Sequence, residues 1–374
     1  MKAVLQMGDC PQIESTAVML RHAGYDTLKI CGRELRNALQ AAGCDTLISV
    51  QQMEQMGYDK LDQSIKEATL RDMDDCDLFV EIKVRNVPRV ISRWPRLNGR
   101  IAYWRVNGAQ PEICPKGGDE VNLPCPIITA CLWYGSPRYK IGTTAETKSA
   151  ANHRDGDPIT LDDLLAEHAK LVPFDNGMAY TFWPPYPRSA DYDRIDRSGL
   201  TSYEPPYCVA HSARAWGYGP IVSECVDLGV RVYGNNAPAG QIPHSRVPGI
   251  AAKALALVHL KSVDCPGWAL YEAILAGCPV ITGRLLNSRM LAYSLLQDGE
   301  TCYEFGVPAS LEYGRGDMMY PKCLHDISEA LEKLREPQEN RRIGEAGRKR
   351  LNELMWRPDR DGDSFKGFMR RHFR

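Results

Sequence analysis

Short apolar runs alternate with helix-like segments along most of this 374-residue chain, in two separate series. Such alternation belongs to parallel sheets whose strands are joined by helices packed over both faces. The first series opens with KAVLQM (2–7), a turn at Gly8 and Asp9, and a helix-like stretch from Ile13 to His22 that stops at Gly24. It continues through DTLKIC (26–31), a helix from about Arg33 to Ala42, DTLISV (45–50), a helix reaching about residue 70, LFVEIKV (78–84) and RIAYWRV (100–106). The second series runs YCVAH (207–211), a helix from about Pro220 to Leu228, VRVYG (230–234), a helix near Pro248 to Ala254, LALVHL (255–260), WALYEAILAG (268–277) and PVITG (279–283). A helix near Leu324 to Arg335 and a basic helical tail from Arg341 close the chain.

Between about Tyr134 and Pro206 the alternation loosens into sequence rich in Pro, Gly, Asp and Tyr, and its later part reads as a linker. The expected organisation is an N-terminal domain with its linker over 1–190, a C-terminal domain over 200–350, and a basic tail over 351–374 that crosses back to the first domain. The length suits two cores better than one. With 44% hydrophobic residues, 25% charged residues and a formal net charge of -1, nothing in the overall composition demands a nucleic-acid or membrane partner.

Thirteen cysteines, without a Cys-x-x-Cys pair, fit neither a disulfide framework nor a zinc site, and are expected to be reduced, mostly buried thiols. The start, MKAVLQMGDC, lacks the apolar run of a signal peptide, and no stretch approaches the ~20 apolar residues of a membrane span. A cytoplasmic protein with no transmembrane segment is expected.

Glu272 is the only charged residue within WALYEAILAG. A carboxylate among Ala, Leu and Ile is costly unless hydrogen-bonded, and beside the carboxyl end of a parallel sheet it is placed to accept ribose hydroxyls. Just before it, Pro266 and Gly267 open the helix, whose free N–H groups and positive dipole end suit a diphosphate. Ribose and diphosphate sites side by side describe a nucleotide-diphosphate ligand.

These residues resemble a motif of the retaining glycosyltransferases of the GT-B fold. That family carries E-x7-E with a glycine at the fourth position, followed by a pattern like EAMAxGxPVI. Here Asp264 stands at the first Glu, Gly267 at the glycine, Glu272 at the second Glu, and EAILAGCPVI (272–281) follows. DGETCYEF (298–305) and RRIGEAGRKRLNEL (341–354) are similar to later family segments, so the resemblance spans roughly 205–355. It implies an α/β chain of two doubly wound Rossmann-like domains facing across a cleft, and an enzyme moving a sugar from a nucleotide-diphosphate sugar, a UDP-sugar foremost, with retention and no required metal or other cofactor. The departing diphosphate would assist the acceptor's deprotonation.

By the same resemblance Glu272 would hold the ribose, and Gly267, Trp268 and Ala269 would offer N–H groups to phosphate or sugar. Asp264 would contact the sugar and Arg214 the diphosphate, with Arg289 a further candidate. Ile242 and His244 would lie beside the base, and His211 would end a strand facing the cleft. On the acceptor side, Gly8 and Asp9 follow the first strand and Asn107 and Gly108 follow RIAYWRV, each equally readable as a turn.

Arg85, Arg89 and Arg93, four apart, would form one basic stripe on a helix, with Trp94 nearby. In a GT-B fold the N-terminal lobe receives the acceptor, and some GT-B enzymes of bacteriophages glycosylate hydroxymethylated pyrimidines, so DNA is one expected partner; a solvated helix face is the other reading. The basic tail, with Trp356 and Phe373, could instead touch anionic lipid and favour a lipid-linked or cell-surface glycan acceptor. A non-catalytic nucleotide-sugar or glycan-binding protein is the alternative of another class. Asp72-Met-Asp74 and Asp75-Cys-Asp77 precede their strand and are expected to be loop acids rather than a metal site. No G-x-G-x-x-G or G-x-x-x-x-G-K-[ST] occurs.

Overall fold

The structure, a computed structural model, describes residues 1–6, 10–30, 32–44, 65–81, 86–105, 125–129, 174–175, 179–181, 183, 185, 189–209, 219–234, 237–260, 268–283, 295–305 and 320–373. They form two compact units.

The first unit carries β1 (Lys2–Gln6), α1 (Cys10–His22), β2 (Asp26–Ile30), α2 (Arg33–Ala41), β3 (Lys66–Glu67), α3 (Leu70–Asp75), β4 (Leu78–Glu81), α4 (Val87–Arg93), β5 (Ile101–Arg105), β6 (Ile127–Thr129), β7 (Phe174–Asp175) and β8 (Ala179–Thr181). The sheet order is β3-β2-β1-β4-β5-β6-β8-β7, parallel throughout except for the β7–β8 pair. Ala3, Val4 and Leu5 of β1 are all buried, the continuous apolar run of a strand covered on both faces. Val4 lies opposite Leu28 of β2 on one side and Phe79 of β4 on the other.

The expected helix reaching residue 70 is corrected at its end. Residues 66–67 pair with β2, and a new helix starts at Leu70 because Thr69 caps it. The Thr69 hydroxyl accepts from the Asp72 N–H at 3.3 Å while the Asp72 carboxylate accepts from the Thr69 N–H at 2.8 Å, a reciprocal capping box. Asp72, Asp74 and Asp75 are therefore helical rather than loop acids, and Asp72 also takes a 2.8 Å bond from the Lys2 ammonium. DTLISV (45–50) lies outside the described residues.

The second unit carries α5 (Ser189–Asp193), β9 (Tyr207–Val209), α6 (Gly219–Asp227), β10 (Arg231–Tyr233), α7 (Val247–Lys253), β11 (Leu257–His259), α8 (Trp268–Leu275), β12 (Val280–Gly283), β13 (Tyr303–Phe305), α9 (Tyr320–Leu334) and α10 (Pro337–Leu354). Its strands are parallel in the order β10-β9-β11-β12-β13, so the winding reverses between β9 and β11. In open α/β sheets that reversal is where a crevice forms at the carboxyl ends of the strands.

The sequence AGCP explains how α8 stops. Gly277 adopts φ +70°, its N–H donates to Ile274 O at 2.9 Å, and the Cys278 N–H donates to Ala273 O at 2.9 Å, a Schellman ending that hands the chain directly to β12. α10 passes close to this turn, since a Cβ on Gly344 would stand 2.0 Å from Gly277 O.

The chain ends in α11 (Pro358–His372), which belongs to the first unit. The Trp356 N–H donates to Trp183 O at 2.9 Å, and Trp356, Phe365, Phe368, Met369 and Phe373 join Ala3, Leu5, Leu78, Val80, Ala102 and Trp104 in one core. The helix lies against α1 at Gly362, where a Cβ would meet the His22 imidazole. Trp356 and Phe373 are thus core residues rather than aromatics displayed for a lipid surface, because burying rings is the main stabilisation that a short closing helix can supply.

Candidate functional site

The strand order of the second unit brings two of the residues singled out in the sequence together, Glu272 of α8 and His244. This helix follows β11, is apolar except at Glu272, and buries every residue from Leu270 to Leu275. Glu272 is only 3% exposed. A carboxylate so deep needs a hydrogen-bonding partner, and it has one: Nε2 of His244 meets its Oε1. His244 comes from a different element, a single 3-10 turn (His244–Arg246) between β10 and α7, with 11% of its side chain exposed.

The turn is held by its own backbone, the Arg246 N–H donating to Pro243 O at 3.0 Å, and passes straight into α7, which packs on α8. A carboxylate can only accept, so His244 presents a hydrogen on Nε2. Ile242, two residues before His244, is half-buried. Trp268 and Ala269 form the first turn of α8, also half-buried, and the Trp268 ring lies 5.5 Å from that of Tyr271. The first N–H groups of α8 have no partner within the helix.

One neighbouring polar pair escaped the sequence reading. His259 ends β11 and faces Thr282 of β12 in register, with Nδ1 3.4 Å from Oγ1 and both side chains buried. The available signal was a histidine at the end of an otherwise apolar strand, LALVHL. Beneath α8, burial pushes the Tyr207 phenol well above its ordinary range, with Cys278 and the Glu272 carboxylate adding to the effect.

Asp264, Gly267, Arg214, His211 and Arg289 lie outside the described residues, as do Gly8, Asp9, Asn107, Gly108 and Arg85 on the acceptor side. The rest of the basic stripe is described. Arg89 and Arg93 lie on the described helix, which begins at Val87 with Pro88 in its first turn, where a missing N–H is tolerated. Arg89 donates to Gly43 O at 2.5 Å behind α2, and Arg93 lies over the Trp94 ring at 5.2 Å. Arg96 donates to the Asp75 and Cys76 carbonyls that end α3, and Arg100 pairs with Asp77 at 3.9 Å. Arg96 and Arg100 sit at the amino edge of the sheet, where β4 and β5 begin.

Among the described residues no cluster of His, Cys, Asp and Glu is arranged to hold a metal ion. No helix among them is long and apolar enough to cross a membrane. Cys44, Cys76, Cys125, Cys208, Cys225, Cys278, Cys302 and Cys323 are buried and form no disulfide bond.

No protein-family model matches the chain. A comparison with curated proteins finds no match either. Comparison of structures does. HepE from Anabaena, solved with UDP-glucose, superposes with a TM-score of 0.52 at 9% identity, covering 98% of this chain and 97% of that one. An alpha-glucosyltransferase solved with UDP and a 13-mer DNA superposes with a TM-score of 0.50 at 8% identity, covering 99% of both chains. The two parallel-sheet units are those of the GT-B fold.

Proposed function

We propose that the chain is a glycosyltransferase that takes a sugar from a UDP-sugar and transfers it, with retention, to an acceptor hydroxyl. The observation that carries this reading is the buried Glu272 carboxylate on the helix that follows the strand-order reversal of a GT-B fold. In that place a carboxylate accepts the ribose hydroxyls, the α8 N-terminus receives the diphosphate, and Asp264 with Gly267 faces the sugar. Arg214 or Arg289 supplies the positive charge that the leaving diphosphate requires. Catalysis of this kind is orientation and leaving-group stabilisation by fixed dipoles.

Titration with UDP tests the donor site. Glu272→Ala weakens UDP by roughly ten- to a hundredfold, the about 1.5–3 kcal/mol of hydrogen bonds to a charged group. Absence of UDP binding and of any UDP-sugar hydrolysis by the purified chain would sink the enzyme reading and leave a non-catalytic protein.

For the acceptor we carry the hydroxymethylated pyrimidine of DNA, supported by the similarity to an alpha-glucosyltransferase solved on DNA. Arg89 and Arg93 of the basic stripe engage Gly43 O and the Trp94 ring, so DNA contact there exchanges those partners for phosphate. Mass detection of hexose added to hydroxymethylated DNA, beside unmodified DNA, decides it; no addition from any UDP-sugar removes this acceptor.

A further inference from the structure

We infer that His244 is a positioning residue that fixes the Glu272 carboxylate for the ribose of the bound nucleotide, an inference that rests on the nucleotide-sugar reading above. The last torsion of a glutamate side chain is broad and two-fold, so burial alone does not set the plane of its carboxylate. Accepting two vicinal hydroxyls requires that plane to be set. On α8 itself Leu270, Ala273, Ile274 and Leu275 carry no side-chain hydrogen-bond donor, while Trp268 and Tyr271 each carry one and lie with their rings 5.5 Å apart.

His244 brings a donor to Glu272 Oε1 from outside the helix. Its Nε2–H binds Oε1, one of the roughly four acceptor positions a carboxylate offers. The imidazole is held by a 3-10 turn closed between Pro243 and Arg246 and joined to α7, so the tether is as rigid as the packing of α7 on α8. A ring brought 28 residues along the chain to the Glu272 carboxylate sets geometry as well as satisfying a buried polar group.

The ribose supplies a readout that a merely structural role would not move. With the full chain, calorimetric titration compares UDP with 2′-deoxy-UDP. Wild type favours UDP by about tenfold, the worth of one hydroxyl hydrogen bond to a charged acceptor. His244→Ala loses most of that preference, whereas His244→Gln, whose amide N–H reaches close to the position of Nε2–H, retains it. His244→Asn, with a shorter amide, behaves like the alanine variant and replaces it should alanine not fold.

An unchanged preference in His244→Ala, or tighter UDP binding, overturns the inference. If Glu272→Ala abolishes the preference while His244→Ala keeps it, the positioning role alone falls. If wild type binds no UDP, the nucleotide reading falls and takes this inference with it.

Discussion

Replacing Arg197 with methionine removes the group on which the end of α7 depends. The last four carbonyls of a helix have no partner inside it. In α7 the Ala254 N–H donates to Ile250 O at 2.9 Å and the Glu204 N–H to Lys253 O at 2.9 Å. The two between them are taken by one guanidinium, with Arg197 donating to Ala251 O at 2.6 Å and Ala252 O at 3.0 Å. The same group donates to Ala254 O at 2.8 Å and to Asn340 Oδ1 at 3.0 Å, and the Asn340 amide donates to the Leu255 and Leu334 carbonyls. Arg197 is 8% exposed and Asn340 1%.

Methionine keeps most of the stem volume and takes the guanidinium donor from Ala251 O, Ala252 O and Asn340 Oδ1, while Ala254 O keeps the Cys278 thiol. At about 1–1.5 kcal/mol each, the loss is about 3–5 kcal/mol. For a unit of about 150–250 residues that lowers Tm by roughly 10 °C. Urea unfolding at neutral pH followed by circular dichroism measures it, and pairing the change with Asn340→Leu gives a coupling of about 1–2 kcal/mol. A methionine variant within about 1 kcal/mol of wild type, or strict additivity in the cycle, refutes the reasoning.

Two further outcomes concern the first unit. Burial raises the Asp72 carboxyl, but hydrogen bonds from the Lys2 ammonium and from Thr69 outweigh it and hold the group down at about 2. A folded pKa below the unfolded value of about 3.9 means a stabilisation complete above pH ~4 and lost as pH falls toward 2, so Asp72→Asn is less stable by about 1–2 kcal/mol at pH 6 and converges on wild type near pH 2. A gap that persists in acid unfolding at pH ~2 rules this out. Phe365 is fully buried, with its ring centroid 5.0 Å from Tyr180 and 6.1 Å from Trp356. Phe365→Ala costs about 3–5 kcal/mol of unfolding free energy, and a loss under about 1 kcal/mol in denaturant titration shows that α11 is not part of that core.

The long-period signals were legible because each is local. KAVLQ, DTLKI, LFVE and IAYWR form β1, β2, β4 and β5, and WALYEAIL forms α8 with its stop written in AGCP. The weak elements were not. AYT (179–181) becomes β8 only because β6 stands beside it, in a stretch where the alternation had loosened. Residues 70–75 become a helix through a capping box whose anchor, Asp72, reads as a loop acid until Thr69 and Lys2 are seen around it. In the basic stripe, spacing of four shows which arginines share a helix face, whereas the acceptor of Arg89, Gly43 O, is remote in sequence.

For the site, the sequence by itself determined that one carboxylate, Glu272, must sit in an apolar helix after a buried strand. That follows from residue type and period alone. Only the tertiary structure decided what meets it. The β10-β9-β11 order brings α7 and α8 side by side, and with them His244 onto Glu272. A buried charge needs a partner, and periodicity states the need; which residue answers is set by strand order, which no local pattern encodes.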